Sequence, residues 1–221
     1  MSQGYMGKRT RTAGVLGYLV VALAVGLATL GASVAEAGPV RTVLVMGDSL
    51  SAAYGLSARE GWVALLEGRL QKGHPGWRVV NASISGETTA GGAARIAGEL
   101  SRTKPAVVLI ALGANDGLRG LPLKQTRANL DKMVGAAKAS GARVLLVGMR
   151  MPPNLGKSYT EGFAQNFRTV AEAHGVPLLP FLLEPIAMER SAFQDDNLHP
   201  VASAQPRLRD HVWPALAPLL K

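Results

Sequence analysis

From Val40 to the end of the chain, short runs rich in valine, isoleucine and leucine alternate with longer amphipathic stretches. Continuous apolar runs are typical of strands buried on both faces, whereas the longer stretches repeat their apolar residues at helical spacing. This alternation predicts an α/β fold of three layers, α/β/α, with a central five-stranded parallel sheet. The predicted strands are 42–46, 78–82, 106–112, 143–148 and 177–179, and the predicted helices are 61–72, 89–101, 123–140, 159–173 and 202–219.

Two loops, one after the first strand and one near the end of the chain, carry groups suited to nucleophilic catalysis. Ser49 comes directly after the first strand, where ligands bind to a parallel sheet, although a serine here could instead cap a helix. Asp196 and His199 are three residues apart, so the carboxylate could orient one ring nitrogen while the other faces outward. Asp195 is a rival carboxylate, and the plainer alternative makes Asp196 a helix cap and His199 a surface residue.

Two further loops carry groups that could stabilise an anion. Gly86 follows the second strand, and its N–H is not shielded by a side chain; alternatively it only forms a turn before the next helix. Asn115 follows the third strand and could aim its amide at an oxyanion, or it could form an Asx turn. The neighbouring Asp116 is expected to orient an adjacent loop and is assigned no chemistry.

Composition removes several classes of protein. The chain has no cysteine, which excludes thiol catalysis, disulfides and cysteine-based zinc sites, and its histidines form no H-E-x-x-H pair, so we expect neither a metal nor a cofactor. There is also no G-x-S-x-G motif, so the nucleophile elbow of the α/β-hydrolase fold is missing. The basic residues are scattered without a recognition motif, and we therefore expect no nucleic-acid partner.

The first 37 residues are expected to be a secretory signal peptide. They combine a basic stretch, an uncharged run over 13–35 and the small-x-small end Ala35-Glu36-Ala37, so residues 38–221 would be a periplasmic or secreted domain. The alternative is a retained membrane anchor, because the uncharged run exceeds the roughly 18 residues that span a bilayer. The net charge of the whole chain is +9. The leader contains three basic residues and one acidic residue, which leaves a net charge of +7 on residues 38–221. This positive charge could aid transient contact with a membrane surface.

The order of these motifs resembles that of the SGNH (GDSL) hydrolase family. Gly47-Asp48-Ser49-Leu50, Gly86, Gly113-x-Asn115-Asp116 and Asp196-x-x-His199 correspond to its four sequence blocks, and the likeness extends over about 42–219. Residues 81–86, 115–120 and 177–181 resemble the subgroup that contains bacterial thioesterase I, also called lysophospholipase L1 or arylesterase. Ala114 departs from this subgroup, which often has glycine there. The resemblance implies a flavodoxin-like SGNH hydrolase domain over 38–221 that cleaves carboxylic esters and thioesters.

The resemblance also implies a role for each matching residue. Ser49 would be the nucleophile, which forms an acyl-enzyme, and its backbone N–H would be one oxyanion donor. Gly86 would supply a second N–H and Asn115 its side-chain amide. His199 would act as general base and then acid, with Asp196 as its partner.

The substrate is expected to be a small-molecule or lipid acyl ester, bound by a monomer. The segment 149–156 follows the fourth strand, and Met149, Met151, Pro152 and Leu155 are expected to contact the acyl chain, as the corresponding loop does in the resembling subgroup; an ordinary proline-rich connection is the alternative. Exported esters such as lysophospholipids are favoured over acyl-CoA. An inactive lipid or sugar binder and a carbohydrate O-deacetylase are the other two hypotheses.

Overall fold

A computed structural model describes residues 40–221 of the chain, and the predicted leader lies outside the described residues. Its centre is a parallel sheet in which the apolar runs of the sequence are buried. The strand order is β2-β1-β3-β4-β5, with β1 between the two strands that follow it in sequence. The strands are β1 (Arg41–Gly47), β2 (Trp77–Asn81), β3 (Val107–Ala111), β4 (Arg143–Val147) and β5 (Leu178–Leu179). The predicted fold class is therefore confirmed.

Residues 40–221 form six α-helices, and the five longer ones cover the sheet in two groups. The first helix packs against the last, while the second, fourth and fifth pack together, so the two groups form the outer layers. The helices are α1 (Trp62–Gly73), α2 (Thr89–Thr103), α3 (Ala114–Leu118), α4 (Leu123–Ala139), α5 (Lys157–His174) and α6 (Gln205–Leu216). Over residues 40–221, no helix combines the length and apolar character needed to cross a bilayer.

The strand order places the functional loops together. The chain leaves β1 toward β2 on one side and returns to β3 on the other, so the sheet has a topological switch point between β1 and β3. Loops at the carboxyl ends of strands separate at such a point and leave a crevice between them. The loops that follow β1, β2 and β3 therefore border one crevice.

A buried tryptophan fixes the first of these loops to the core. Trp62 has no exposed surface, its indole N–H donates to the carbonyl oxygen of Leu50 at 3.1 Å, and its backbone N–H donates to Oε1 of Gln205 at 2.9 Å. A buried polar group that lost its partner would cost about 1–3 kcal/mol. Trp62 therefore holds the segment after β1 against both α1 and α6.

The predicted elements differ from the observed ones mainly at short segments. The helix α3 was not predicted, because a five-residue helix is too short to show periodicity. The Asx turn considered for Asn115 is thus replaced by a helical turn. The predicted last helix is divided into a 3₁₀ turn at Ala202–Ala204, α6, and a second 3₁₀ turn at Ala217–Leu219.

Candidate active site

Ser49 lies in a tight turn at the carboxyl end of β1. The Asp48 carbonyl accepts the N–H groups of Ser51 at 3.1 Å and Ala52 at 2.9 Å, while the Asp48 side chain accepts the Leu50 N–H at 3.0 Å. The first helix begins only at Trp62, so Ser49 does not cap it. The turn places the Ser49 side chain at the edge of the crevice, where it lines a cleft.

A chain of hydrogen bonds links this serine to a carboxylate. Ser49 Oγ lies 2.8 Å from Nε2 of His199, and Nδ1 of the same ring lies 2.6 Å from Oδ2 of Asp196. Because an ionised carboxylate only accepts, Nδ1 must donate to it, which leaves the Nε2 lone pair to accept the serine hydroxyl. The ring contacts Asp196 and not Asp195, whose backbone carbonyl accepts hydrogen bonds from the side chains of Arg190 and Asn197.

The Asp196 carboxylate is strongly stabilised in its charged form. Its Oδ1 accepts the backbone N–H groups of Leu198 at 2.9 Å and His199 at 3.0 Å, in addition to the ring contact at Oδ2. The hydrogen bonds from the backbone and ring of His199 lower the pKa of Asp196 to about 2, with a smaller contribution from Leu198. Asp196 therefore stays ionised at neutral pH, as an orienting partner of a histidine must.

A glutamine joins the histidine loop to the serine loop. The side-chain amide of Gln194 donates to the Tyr54 carbonyl at 2.9 Å, and its backbone N–H donates to the His199 carbonyl at 2.8 Å. The Tyr54 ring also lies 4.3 Å from the His199 ring, measured between centroids. These contacts hold the imidazole beside the hydroxyl although the two residues are 150 positions apart.

Gly86 follows β2 and Asn115 follows β3, and hydrogen bonds tie these two segments to each other. The Asn115 side chain donates to the Glu87 carbonyl at 3.0 Å, and the Arg119 side chain donates to the Gly86 carbonyl at 3.1 Å. Gly86 has φ of +79°, a conformation that favours glycine. Both residues line the same cleft as Ser49.

A half-buried arginine and a buried aspartate hold the Gly86 loop at its ends. The Arg95 side chain donates to the Ala82 carbonyl at 2.6 Å and to the Glu87 carboxylate at 2.6 and 2.5 Å, an arrangement that we call the Arg95 clamp. Asp116 accepts the backbone N–H of Thr89 at 2.8 Å and its hydroxyl at 2.5 Å. Asp116 therefore orients the neighbouring loop, as its position next to Asn115 predicted.

The cleft beside Ser49 has a volume of about 600 Å³ and mostly apolar walls. Met149, Met151 and Pro152 lie on its wall, where the sequence placed them. Leu155 lies elsewhere: it is not a lining residue, and it packs half-buried against the hydrophobic core from the 3₁₀ turn Pro153–Leu155. This turn directs the leucine inward, which the sequence pattern did not reveal. A larger concavity of about 740 Å³ runs along α5 and shares Arg150 and Met151 with this cleft, but it is not lined by Ser49, Gly86, Asn115 or His199.

Known proteins with similar sequence and structure place this site in a family. A model of the GDSL-like Lipase/Acylhydrolase family matches residues 45–205. Esterase TesA of Pseudomonas aeruginosa is 50% identical over 180 residues, covering 81% of this chain and 90% of that protein. The thioesterase 1/protease 1/lysophospholipase L1 of Escherichia coli (strain K12) is 42% identical over 179 residues, covering 81% and 85%. The crystal structure of the psychrotrophic esterase EstA from Pseudoalteromonas sp., inhibited by monoethylphosphonate, has a TM-score of 0.78 at 40% identity and covers 81% and 98%.

The chain belongs to the GDSL-like lipase/acylhydrolase family. This confirms the resemblance drawn from the four motifs, and it makes the chain an enzyme that hydrolyses acyl esters. Within residues 40–221, no group of three or more histidine, aspartate or glutamate side chains lies close enough to hold a metal ion.

The acylhydrolase cleft has walls that the sequence did not predict. Four of its lining residues come from the long segment between β5 and the histidine loop; these are Phe181, Leu183, Ala187 and Phe193. The position of this segment could have indicated that it borders the cleft, because it also follows the carboxyl end of a strand. However, it contains no chemical group that would single it out, and its apolar residues could equally have belonged to the core.

Asp48 is a second buried carboxyl group of the acylhydrolase site. It is 1% exposed and accepts a hydrogen bond from Leu50. Burial raises the pKa of Asp48 to about 7, an effect that the Leu50 N–H and the nearby His199 oppose and that Asp116 slightly reinforces. The carboxyl therefore changes charge near neutral pH, in contrast to that of Asp196.

Proposed function

We propose that the protein hydrolyses carboxylic esters and thioesters of acyl chains through a covalent acyl-enzyme on Ser49. The observation that carries the proposal is the continuous hydrogen-bonded chain from Asp196 through His199 to Ser49, at the edge of an apolar cleft. A nucleophile that contacts a base, which is itself oriented by a third group, is the arrangement that activates a serine hydroxyl.

In the first half-reaction, Ser49 Oγ attacks the acyl carbonyl carbon while Nε2 of His199 accepts the hydroxyl proton. The negative charge that develops on the carbonyl oxygen is stabilised by the backbone N–H groups of Ser49 and Gly86 and by the Asn115 amide. One N–H of that amide is used on Glu87, and the amide carries a second one for the ligand. Collapse of the tetrahedral intermediate expels the alcohol or thiol, which takes its proton from His199.

In the second half-reaction, water attacks the acyl-enzyme and His199 takes the proton of the water. The intermediate collapses again, Ser49 recovers its proton and the carboxylic acid leaves. Asp196 orients the ring in both halves and stabilises the imidazolium that forms, without accepting a proton. The low pKa of Asp196 supports this role.

The shape of the cleft supports acyl chains longer than acetyl. Its volume of about 600 Å³ lies within the usual range for drug-sized ligands, and Met149 and Met151 offer flexible thioether side chains to a chain of variable length. A carbohydrate O-deacetylase would need a smaller acyl pocket. Lysophospholipids and other exported esters therefore fit the site, in agreement with the name lysophospholipase L1 of the E. coli relative.

The proposed setting follows from the leader. We expect residues 1–37 to direct export and residues 38–221 to act as a monomer in the periplasm or outside the cell. Contact with lipid would be transient, favoured by the charge of +7 on residues 38–221.

Initial rates on p-nitrophenyl esters from acetate to palmitate test the proposal. Medium chains should be turned over fastest, and Ser49→Ala should lower kcat by roughly 10⁴-fold or more with an unchanged far-UV circular dichroism spectrum. Ser101→Ala, at an exposed serine of α2, is the matched control and should behave like wild type. Turnover of acetate alone would favour the deacetylase, and no turnover of any ester would favour a binding protein. Near wild-type activity of Ser49→Ala would contradict the assignment of the nucleophile.

A further inference from the structure

Exposed large apolar side chains gather around the mouth of the cleft. Among the described residues, six such side chains are at least 41% exposed, and five of them lie at or next to the cleft. We call these five the apolar rim: Tyr54, Ile84, Leu118, Met188 and Leu198. The sixth, Val40, directly precedes β1 and so lies at the opposite, amino edge of the sheet.

The members of the apolar rim come from separate loops. Tyr54, Leu118 and Leu198 themselves line the cleft, whereas Ile84 and Met188 are next in sequence to the lining residues Ser85 and Ala187. Met188 is 96% exposed. Single exposed apolar residues are ordinary, but a group of them around one opening marks an interaction site.

Charge distinguishes among the partners that such a surface could fit. Arg119 follows Leu118 directly, and Arg150 lines the cleft with half of its side chain exposed. Arg150 lies 4.0 Å from the Glu184 carboxylate, and because both side chains are half exposed this ion pair is weak. The apolar rim therefore places flexible apolar side chains and a tyrosine beside arginines, and residues 38–221 carry a net charge of +7. This combination fits the boundary between anionic lipid headgroups and acyl chains.

We propose that the apolar rim is a docking surface that seats the enzyme on an anionic lipid surface, with the mouth of the cleft against the lipid. An ester could then pass from the lipid into the cleft without exposing its acyl chain to water. The inference rests on the proposed function, because it supplies the route by which a lipid ester reaches Ser49.

Vesicle binding tests the docking surface separately from catalysis. The Ser49→Ala protein, purified with the same N-terminus for every variant, is sedimented with phosphatidylcholine vesicles with and without phosphatidylglycerol. Binding should be stronger with the anionic lipid and should weaken as salt is added. Adding Ile84→Ser and Met188→Ser should lower the partition coefficient roughly tenfold, as expected when two partly inserted apolar side chains are removed. Val40→Ser, the matched control, should leave it unchanged.

Two results would overturn the docking surface. One is equal vesicle binding by the rim variant and by Val40→Ser. The other is a dimer in sedimentation equilibrium that the rim substitutions convert to a monomer, since the rim would then be covered by a second copy of the chain.

A second measurement separates this inference from the proposed function. Met188→Ser in the otherwise wild-type enzyme should keep its rate on soluble p-nitrophenyl butyrate and lose several-fold activity on lysophosphatidylglycerol presented in vesicles. Equal rates on the vesicles for wild type and Met188→Ser would refute docking while leaving the esterase intact. Absence of butyrate hydrolysis by wild type would instead refute the proposed function.

Discussion

Replacing Asp48 by asparagine should remove a pH dependence of stability that wild type carries near neutrality. The Asp48 carboxyl is 1% exposed, and its pKa is raised to about 7, mainly by burial. An asparagine side chain has nearly the same shape, and its oxygen can still accept the Leu50 N–H. The substitution therefore removes the ionisation while keeping the hydrogen bond.

The sign and size of the effect follow from the two pKa values. Because the folded pKa of about 7 exceeds the ordinary 3.8, the folded protein holds a proton that the unfolded chain releases between those values. The resulting stability is fully present below about pH 4 and is lost as the pH rises through about 7. At 1.36 kcal/mol for each pKa unit, the loss is on the order of 4 kcal/mol. A small cavity of about 10 Å³ beside Asp48 could admit a water and reduce this value.

Urea unfolding of wild type and Asp48→Asn, at about pH 5 and about pH 8, measures the effect. Only the titration between pH 5 and the folded pKa of about 7 falls within this window, so the free energy of unfolding of Asp48→Asn relative to wild type should rise between the two conditions by roughly 2.7 kcal/mol, at 1.36 kcal/mol for each pH unit. Asp210→Asn is the control: Arg209 lowers the pKa of Asp210, so Asp210 is ionised at both pH values and its difference from wild type should not change. His199 and Asp116 are the charged residues that contribute to the pKa of Asp48. A difference for Asp48→Asn that is the same at both pH values, or larger at pH 5, would refute the reasoning.

Three other predictions concern catalysis. Asn115→Ala should lower kcat on p-nitrophenyl butyrate by roughly 10²–10³ with little change in KM, because an oxyanion donor acts in the transition state; an equal change in both constants would contradict that role. Arg95→Gln should lower kcat by roughly 10–100-fold, because the Gly86 loop would be displaced. Adding Glu87→Gln should lower kcat little further, whereas additive losses of the two variants would argue against the Arg95 clamp. In Gly117→Ala the new methyl would clash with Met151 Sδ, so Met151 must shift at the cleft wall and long esters should lose more activity than short ones. A uniform loss over the ester series would refute this.

Most of the fold was predictable because its signals are local. A strand buried on both faces is a continuous apolar run, and β3, which is buried throughout, was predicted to within one residue at each end. The prediction was less accurate at α3, because the helix is too short to show a period. It was also less accurate where one sequence pattern is compatible with two positions of a side chain. Leu155 shows the second case, because an apolar residue after a strand can face either the cleft or the core.

The amino-acid sequence alone determined the layers of the fold, the loops that follow the strands and the order of the four motifs, since these depend on hydrophobic period and on residue type. Tertiary structure alone decided which groups meet. It brings together Ser49 and His199 across 150 positions, selects Asp196 rather than Asp195, and adds the wall from Phe181 to Phe193. The physical reason is that contacts between distant loops depend on strand order and on side-chain packing, and neither leaves a periodic trace in the chain.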